Sequence, residues 1–281
     1  YIAGEELSDA VEKIKNLNKK RIAATLDLLG EDPETLKDCT HAVKVYQEAI
    51  DEINRNRLES GISLKPSHMG LKLDKEFCMN NMTAIVEKAS QAGLFVRIDM
   101  EDISLKQETI DCFLELKNKF DNVGIVMQAY VRKGMDDADQ MIDCKANIRL
   151  CKGAYYWEDK ANVYKDMEII NASYSYLLKK MLSAGCFVAV ATHDEKLVFE
   201  ALKIIDELGI SKERYEFQML YGVCEDLRDI IRDHGHPIRV YVPFGKEWFA
   251  YSVRRLKENP KMVSYVMAGG LQKIFNRQPG H

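Results

Sequence analysis

No apolar run in this chain approaches the length of a bilayer crossing. CFVAVA at 186–191 is among the longest, and a spanning helix needs about 20 apolar residues. Nor do basic residues concentrate anywhere. Lys and Arg number 40 against 44 Asp and Glu, a formal net charge of -4, which argues against a nucleic-acid footprint. C-x-x-C does not occur among the seven cysteines (39, 78, 112, 144, 151, 186 and 224), whose number is odd and spacings wide. That pattern argues against a disulfide framework and fits reduced thiols in a cytosol-like compartment. His234 and His236 in DHGHPI lack a third ligand nearby in sequence and sit beside Gly and Pro, so a turn is expected there and no metal. The opening YIAGEELSDAVEKIKN is polar and acidic, unlike a secretory leader, and the absence of an initial Met is compatible with a trimmed fragment. No repeat, low-complexity segment or linker divides the 281 residues, so 1–281 reads as one domain.

What is present is alternation. Apolar residues make up 46% and charged residues 30%, as in soluble globular proteins. Short runs rich in β-branched residues recur at 22–29, 61–67, 94–100, 122–130, 147–153, 186–194, 215–222 and 237–245, giving eight predicted strands. Helix candidates lie between them. The stretch 33–56 carries Pro33 at its start, while 74–93, 160–185 and 194–209 close on Gly93, Gly185 and Gly209, each a candidate C-cap. Residues 1–20 read as an additional N-terminal helix. Eight β–α units in a chain of this length predict an α/β protein with a closed (β/α)8 TIM-type barrel, which typically takes roughly 250 residues. The competing doubly wound sheet usually carries G-x-G-x-x-G in its first turn, and none is present.

Barrels of this class place chemistry at the C-terminal ends of the strands. In order, these ends bring Glu31, Lys65, Asp99, Gln128, then Arg149, Lys152 and Tyr155, then Thr192 and His193, then Gln218, Leu220 and Tyr221, and finally Tyr241. Parity assigns Arg97, Asp99 and Glu101 to one face, Gln218 with Leu220, and Arg239 with Tyr241. Arg149 and Lys152 cannot both point inward from one regular strand. Each residue has an ordinary explanation: a solvated loop end, a satisfied core amide, or, for Asp194 after His193, a helix N-cap. Eight separate ordinary explanations are less economical than one site on one rim.

That rim is cationic in an acidic protein, which implies an anionic ligand. In FAYSVRRLKE (249–258), helical spacing sets Tyr251 and Glu258 three and four residues from Arg254 and Arg255. Two guanidinium groups so placed suit a carboxylate. No Ser-His-Asp, Cys-His or metal cluster stands out, so hydrolysis is not indicated. Acids mixed with Lys and Arg are expected to have lowered pKa values and to be poor general acids for a glycosidase. A cofactor carrying the hard chemistry would explain the missing nucleophile.

LLGE, NIRLCKGAYY, AVATHD, YEFQMLYG and RVYVPFGKEWFAYSVRRLKE, in that order from about 22 to 270, together resemble the proline dehydrogenase family. The resemblance implies a distorted (β/α)8 barrel with its last helix over the mouth, and flavin-dependent oxidation of L-proline to Δ1-pyrroline-5-carboxylate by hydride transfer to N5 of FAD. Arg254 and Arg255 would then bind the proline carboxylate with Lys65. Tyr155, Leu220, Tyr241 and Tyr251 would wall the ring, and Asp99 would sit beside Lys65 and Tyr241. Gln128, Arg149, Cys151, Lys152, Gly153, Ala154, Thr192, His193, Gln218 and Glu258 would lie along FAD, and Glu31 would pair with an arginine as a gate. The resemblance further implies a membrane quinone as electron acceptor, a cytoplasmic chain touching the membrane peripherally, and a downstream pyrroline-5-carboxylate dehydrogenase. With no aldehyde dehydrogenase segment following, the chain is similar to the stand-alone enzyme. The alternatives are a hydroxyproline dehydrogenase of the same fold, which the bulk of Tyr241 disfavours, and a flavin barrel of the methylenetetrahydrofolate reductase type.

Overall fold

The eight strands are β1 (Ala23–Leu28), β2 (Ser60–Leu64), β3 (Val96–Ile98), β4 (Val123–Gln128), β5 (Asn147–Cys151), β6 (Phe187–Ala191), β7 (Tyr215–Leu220) and β8 (Ile238–Phe244). Each pairs in parallel with the next, and β8 returns to β1, closing the barrel. The computed structural model describes residues 2–30, 33–153, 161–249 and 251–253. All eight predicted strands are found.

Parity divides every strand into two faces. Leu26, Ile62, Val96 and Val123 follow one another around the wall in register, as do Leu150, Val190, Phe217 and Ile238. These point outward and are buried beneath helices α2 (Leu36–Arg55), α3 (Lys75–Gln91), α4 (Lys106–Lys117), α5 (Gly134–Asp143), α6 (Met167–Ser183), α7 (Glu195–Glu207) and α8 (Glu225–Asp233). The hydrophobic core is therefore the annulus between strands and helices, where fully burying a large aliphatic side chain contributes about 1.5–3 kcal/mol.

Those seven helices connect successive strands and leave the gap between β8 and β1 uncovered. Helix α1 (Leu7–Lys19) fills it. It buries Ala10, Val11, Ile14 and Leu17, spaced as one helical stripe, against β8 and β1. The Ala3 N–H donates to the Pro243 carbonyl at 2.9 Å, which fastens the entry of the chain to the end of β8. With that slot taken, the segment after β8 must go elsewhere. It begins a helical turn in which the Tyr251 N–H donates to the Glu247 carbonyl and Tyr251 is buried.

Two helix starts differ from the sequence reading. Pro33 lies outside α2, which Thr35 caps instead: Asp38 N–H donates to the threonine hydroxyl and the Asp38 carboxylate accepts the Thr35 N–H, a reciprocal capping box. Helix α6 begins only at Met167, because Asp166 accepts the N–H groups of Glu168 and Ile169. The preceding residues pair with the β4 exit instead, through an antiparallel bridge between Val131 and Val163. Gly93, Gly185 and Gly209 do follow helix C-termini, each with positive φ.

Candidate active site

Much of the inner face of the barrel is polar or charged, where barrels of this class usually stack branched apolar side chains, although β6 brings only Phe187, Ala189 and Ala191 to it. Arg97 on β3 reaches the Ile125 and Asn147 carbonyls at 3.0 and 2.6 Å, and also bonds the Asn147 side chain. Gly124 makes room for this guanidinium: a Cβ there would stand 2.5 Å from Arg97 Nη1. On the opposite wall Arg239 bonds both oxygens of Glu216 at 2.9 and 3.0 Å and donates to the Ala24 carbonyl at 2.7 Å. Gln218 Nε2 donates to Glu216 Oε1 at 2.6 Å. These groups occupy the deeper part of the barrel.

Above them lie two ion pairs. Arg149 Nη1 meets Asp99 Oδ1 at 2.7 Å, and its Nε donates to Gln218 Oε1 at 2.6 Å. Asp99 also accepts the Ser63 hydroxyl at 2.8 Å and the Tyr241 hydroxyl at 2.9 Å. The Arg149 guanidinium lies 5.0 Å from the centroid of the Tyr241 ring, a cation–π distance. Strands β2, β5, β7 and β8 and the end of β3 are thus tied across the lumen through side chains alone. The second pair joins Lys65 Nζ to Asp27 Oδ1 at 2.6 Å, both almost fully buried. Lys65, Asp99, Arg149, Gln218 and Tyr241 were all singled out from sequence, and the fold brings them together. The direct ionic partner of Lys65 is Asp27, however, and that of Asp99 is Arg149.

Lysine and arginine neighbours do not depress the acids throughout. Burial pushes the Glu101 carboxyl up in spite of its bonds from Ser67. Burial is the largest single influence and favours neutral Lys65, but Asp27, together with Tyr46 and Asp99, outweighs it and holds the ammonium protonated above its ordinary range. Burial, with Asp27 and Asp99 nearby, raises the Tyr241 phenol far above its usual value, so it remains a donor.

The rest of the rim is organised more locally. Strand β5 ends at Cys151, which settles the parity question: Arg149 points inward, while Lys152 lies past the strand and pairs with Asp194 at 2.6 Å. Asp194 is also the N-cap of α7; burial opposes its charge, but Lys152 and backbone donors keep its carboxyl below the usual range. Likewise Glu101 lies beyond the end of β3 and binds the N–H and hydroxyl of Ser67, so strand parity does not extend to it. Thr192 Oγ1 accepts the Asp194 N–H at 3.1 Å, and His193 Nε2 accepts the Leu220 N–H at 2.9 Å. Burial lowers the His193 pKa to about 4, so the ring is neutral. Cys151 Sγ contacts the Met127 carbonyl at 3.5 Å. Gly153, at φ +105°, is pressed against Tyr130, where a Cβ would come within 2.2 Å of the ring. Gln128 Nε2 donates weakly to the Met100 carbonyl at 3.3 Å, while among the described residues its buried Oε1 has no partner, and neither has buried Arg149 Nη2.

A family model described as proline dehydrogenase matches residues 10–268. The chain belongs to the proline dehydrogenase family. Proline dehydrogenase 1 of Bacillus subtilis is 35% identical over 273 residues, which cover 97% of this chain and 90% of that one. Proline dehydrogenase of Deinococcus radiodurans is 33% identical over 277 residues, covering 97% and 89%. Among solved structures, proline utilization A of Bdellovibrio bacteriovorus superposes with a TM-score of 0.86 at 26% identity over 92% of this chain. The chain spans 32% of that larger protein.

Several of the family-implied residues, Glu31, Ala154, Tyr155, Arg254, Arg255 and Glu258, lie outside the described residues. Asp27, Ser63, Glu216 and Arg239 were not assigned a site role from sequence. Asp27 left a signal in that reading: an acid two residues from Thr25 inside the apolar run IAATLDLL faces the lumen by parity. Among the described residues, no group of three or more His, Cys, Asp and Glu converges as a metal site. His236 instead shares a 2.8 Å hydrogen bond with the Tyr215 hydroxyl. All seven cysteines are free thiols.

Proposed function

We propose that this chain oxidises L-proline to Δ1-pyrroline-5-carboxylate in the polar cup formed by β1 to β8, with FAD as the bound oxidant. The family match supports this over a folate-reductase type of barrel or a hydroxylated substrate. The observation that carries it is a pair of buried atoms without partners among the described residues, the donor Arg149 Nη2 and the acceptor Gln128 Oε1. Buried polar groups in native proteins are nearly always satisfied. A heterocycle with its own donor and acceptor edges would complete both, so the residues present fit a flavin. Gln128, Arg149, Lys152, Thr192, His193 and Gln218 would hold it, with Gly153 leaving the backbone uncluttered. When bound, FAD supplies the hydride acceptor.

The chain's own contribution is charge and placement. Lys65, kept protonated by Asp27, is a cation for the substrate carboxylate and not a base. Tyr241 keeps its proton on Oη, donates it to Asp99 Oδ2, and offers the ring as a wall. Neither group takes up the proton of the substrate amine. The site therefore works by fixing the amine form in alignment. Arg254 and Arg255 are proposed as the remaining carboxylate contacts, with Leu220 and Tyr251 against the ring. A membrane quinone as final acceptor, peripheral contact with the bilayer and onward oxidation by a pyrroline-5-carboxylate dehydrogenase belong to the same proposal. No helix among the described residues is long and apolar enough to cross a membrane.

Anaerobic titration tests the reading. L-Proline should bleach the flavin absorbance of the purified protein, and 4-hydroxyproline should do so poorly. A colourless protein that stays so after incubation with FAD would reject the cofactor. Equal bleaching by both amino acids would remove the steric argument from Tyr241.

A further inference from the structure

Asp27 is wholly buried on β1, next to the strand's last residue. Its Oδ1 accepts from Lys65 Nζ at 2.6 Å, and among the described residues its Oδ2 has no partner. The lysine, placed just past β2, also approaches the Leu28 carbonyl at 3.5 Å. A lysine head rides on four flexible carbons and is a compact point charge. Left to itself, it would not hold one position in the cup. The carboxylate on the neighbouring strand supplies that position. Asp27 thus has one strong bond, and it runs to a group assigned to the substrate. We propose that Asp27 is a positioning residue: it fixes the Lys65 ammonium at the junction of β1 and β2, facing the substrate carboxylate, and acts on the reaction only through Lys65.

This rests on Lys65 being a substrate contact, as proposed above. The charged and titratable groups around Lys65 come from several elements. Asp27 faces it from β1, Tyr46 from α2, Asp99 from the end of β3, and His68 from its own loop, with Glu101 and Tyr241 beyond. Asp99 is already engaged by Arg149, and His68 adds no negative charge. With Asp27 neutralised, burial, the strongest influence on Lys65, would lose its main opponent, leaving only Asp99 and Tyr46 against it. The amine would then lose its proton within the range where the enzyme is assayed, and its grip on a carboxylate with it. In the wild type that loss is postponed to strongly alkaline pH.

The test uses the flavin-loaded enzyme and cyclopentanecarboxylate, which carries the carboxylate and ring of proline but has no amine to oxidise. Isothermal titration between about pH 6 and about pH 9.5 compares wild type, Asp27→Asn, Lys65→Met and the double variant. Asp27→Asn should weaken binding about tenfold or more at neutral pH, and further as pH rises, while the wild type stays flat. In the Lys65→Met background the same substitution should change affinity less than about twofold. An Asp27→Asn variant with wild-type affinity and a flat profile overturns the proposal, as does an equal penalty in both backgrounds. Should Asp27→Asn fail to fold, Asp27→Leu/Lys65→Met against Lys65→Met decides. Equal affinity supports action through Lys65, and weaker binding by the double variant overturns it. Unchanged affinity in Lys65→Met alone would instead remove the role assigned to Lys65.

Discussion

Two buried ion pairs stand side by side in this cup and are built on different plans. Arg149–Asp99 is embedded: Asp99 accepts from Arg149, Ser63 and Tyr241, and Arg149 reaches on to Gln218, which continues to Glu216 and Arg239. Lys65–Asp27 is more isolated: one short bond, with the other carboxylate oxygen unpartnered among the described residues. Desolvating two charges costs several kcal/mol per ion, and only excellent geometry with further hydrogen bonds offsets it. The embedded pair meets that condition and ties five strands together. The isolated pair does not, so its retention is better explained by what a tethered ammonium does for a ligand than by stability.

Breaking the embedded pair should have the largest effect. Asp99→Ala strands a buried guanidinium and removes the acceptor for two hydroxyls, at a cost of about 3–5 kcal/mol. Urea denaturation of the purified variant should show a matching fall in midpoint, or the protein should not accumulate as a folded species. Asp27→Leu combined with Lys65→Met removes both charges of the isolated pair and should cost far less, because replacing a buried pair by apolar groups is often near neutral. A double variant as unstable as Asp99→Ala would erase the distinction between the two plans.

Two histidines sharpen the contrast, one on each side of the cup. His68, on the loop after β2, and His193, after β6, both have pKa values lowered to about 4. Burial is the main cause for both, but the Lys65 ammonium adds to it at His68 alone. A histidine whose folded pKa lies below its unfolded value, about 6.5, contributes stability that is present above that value and lost as pH falls towards 4. Each ring should contribute on the order of 2 kcal/mol after allowance for solvent screening. Urea midpoints should therefore drop between about pH 6.5 and about pH 4, and His193→Gln should flatten part of that limb. Lys65→Met should raise the titration midpoint of His68 and leave that of His193 in place, as read from ring proton shifts by NMR. Movement of both, or of neither, would mean that the isolated pair has no private electrostatic neighbourhood.

The cationic fork expected from FAYSVRRLKE gives the third contrast. Arg254→Met or Arg255→Met should each remove a charge-assisted contact of about 1.5–3 kcal/mol. The Michaelis constant for proline would rise roughly 10- to 100-fold with flavin still bound, because the role proposed for both residues is to hold the substrate carboxylate and not the cofactor. Unchanged proline kinetics in both variants would remove the fork from the site.

The fold was legible because its signal is repeated. Eight β-branched runs separated by amphipathic stretches, with caps such as Asp194 and terminators such as Gly93, each say the same thing. Lys65, Asp99, Gln218 and Tyr241 were legible because a barrel gathers its strand ends and parity sends alternate residues inward. Partnership was not legible. That Lys65 bonds Asp27 and not Asp99 depends on register between strands 38 residues apart in sequence, which no local pattern encodes. Asp27 itself was masked by its apolar neighbours. Helix starts failed at Pro33 and at 161–166 for a related reason: a side-chain cap at Thr35 or Asp166 overrode the propensity of the residues before it.

The smallest expected effect lies outside the cup and calibrates the others. Lys88 and Asp51 join α3 to α2 at 2.8 Å, a distance close to those of the buried pairs, but with side chains 31% and 53% exposed. Solvent weakens their attraction, and ordering two mobile side chains offsets most of what remains. Lys88→Met should change stability by about 0–1 kcal/mol, and that small change should vanish in high salt. The cost of Asp99→Ala should persist there, because a buried charge is poorly screened. A Lys88→Met cost approaching that of Asp99→Ala would show that proximity of opposite charges, and not burial and bonding, sets the strength of ion pairs in this barrel.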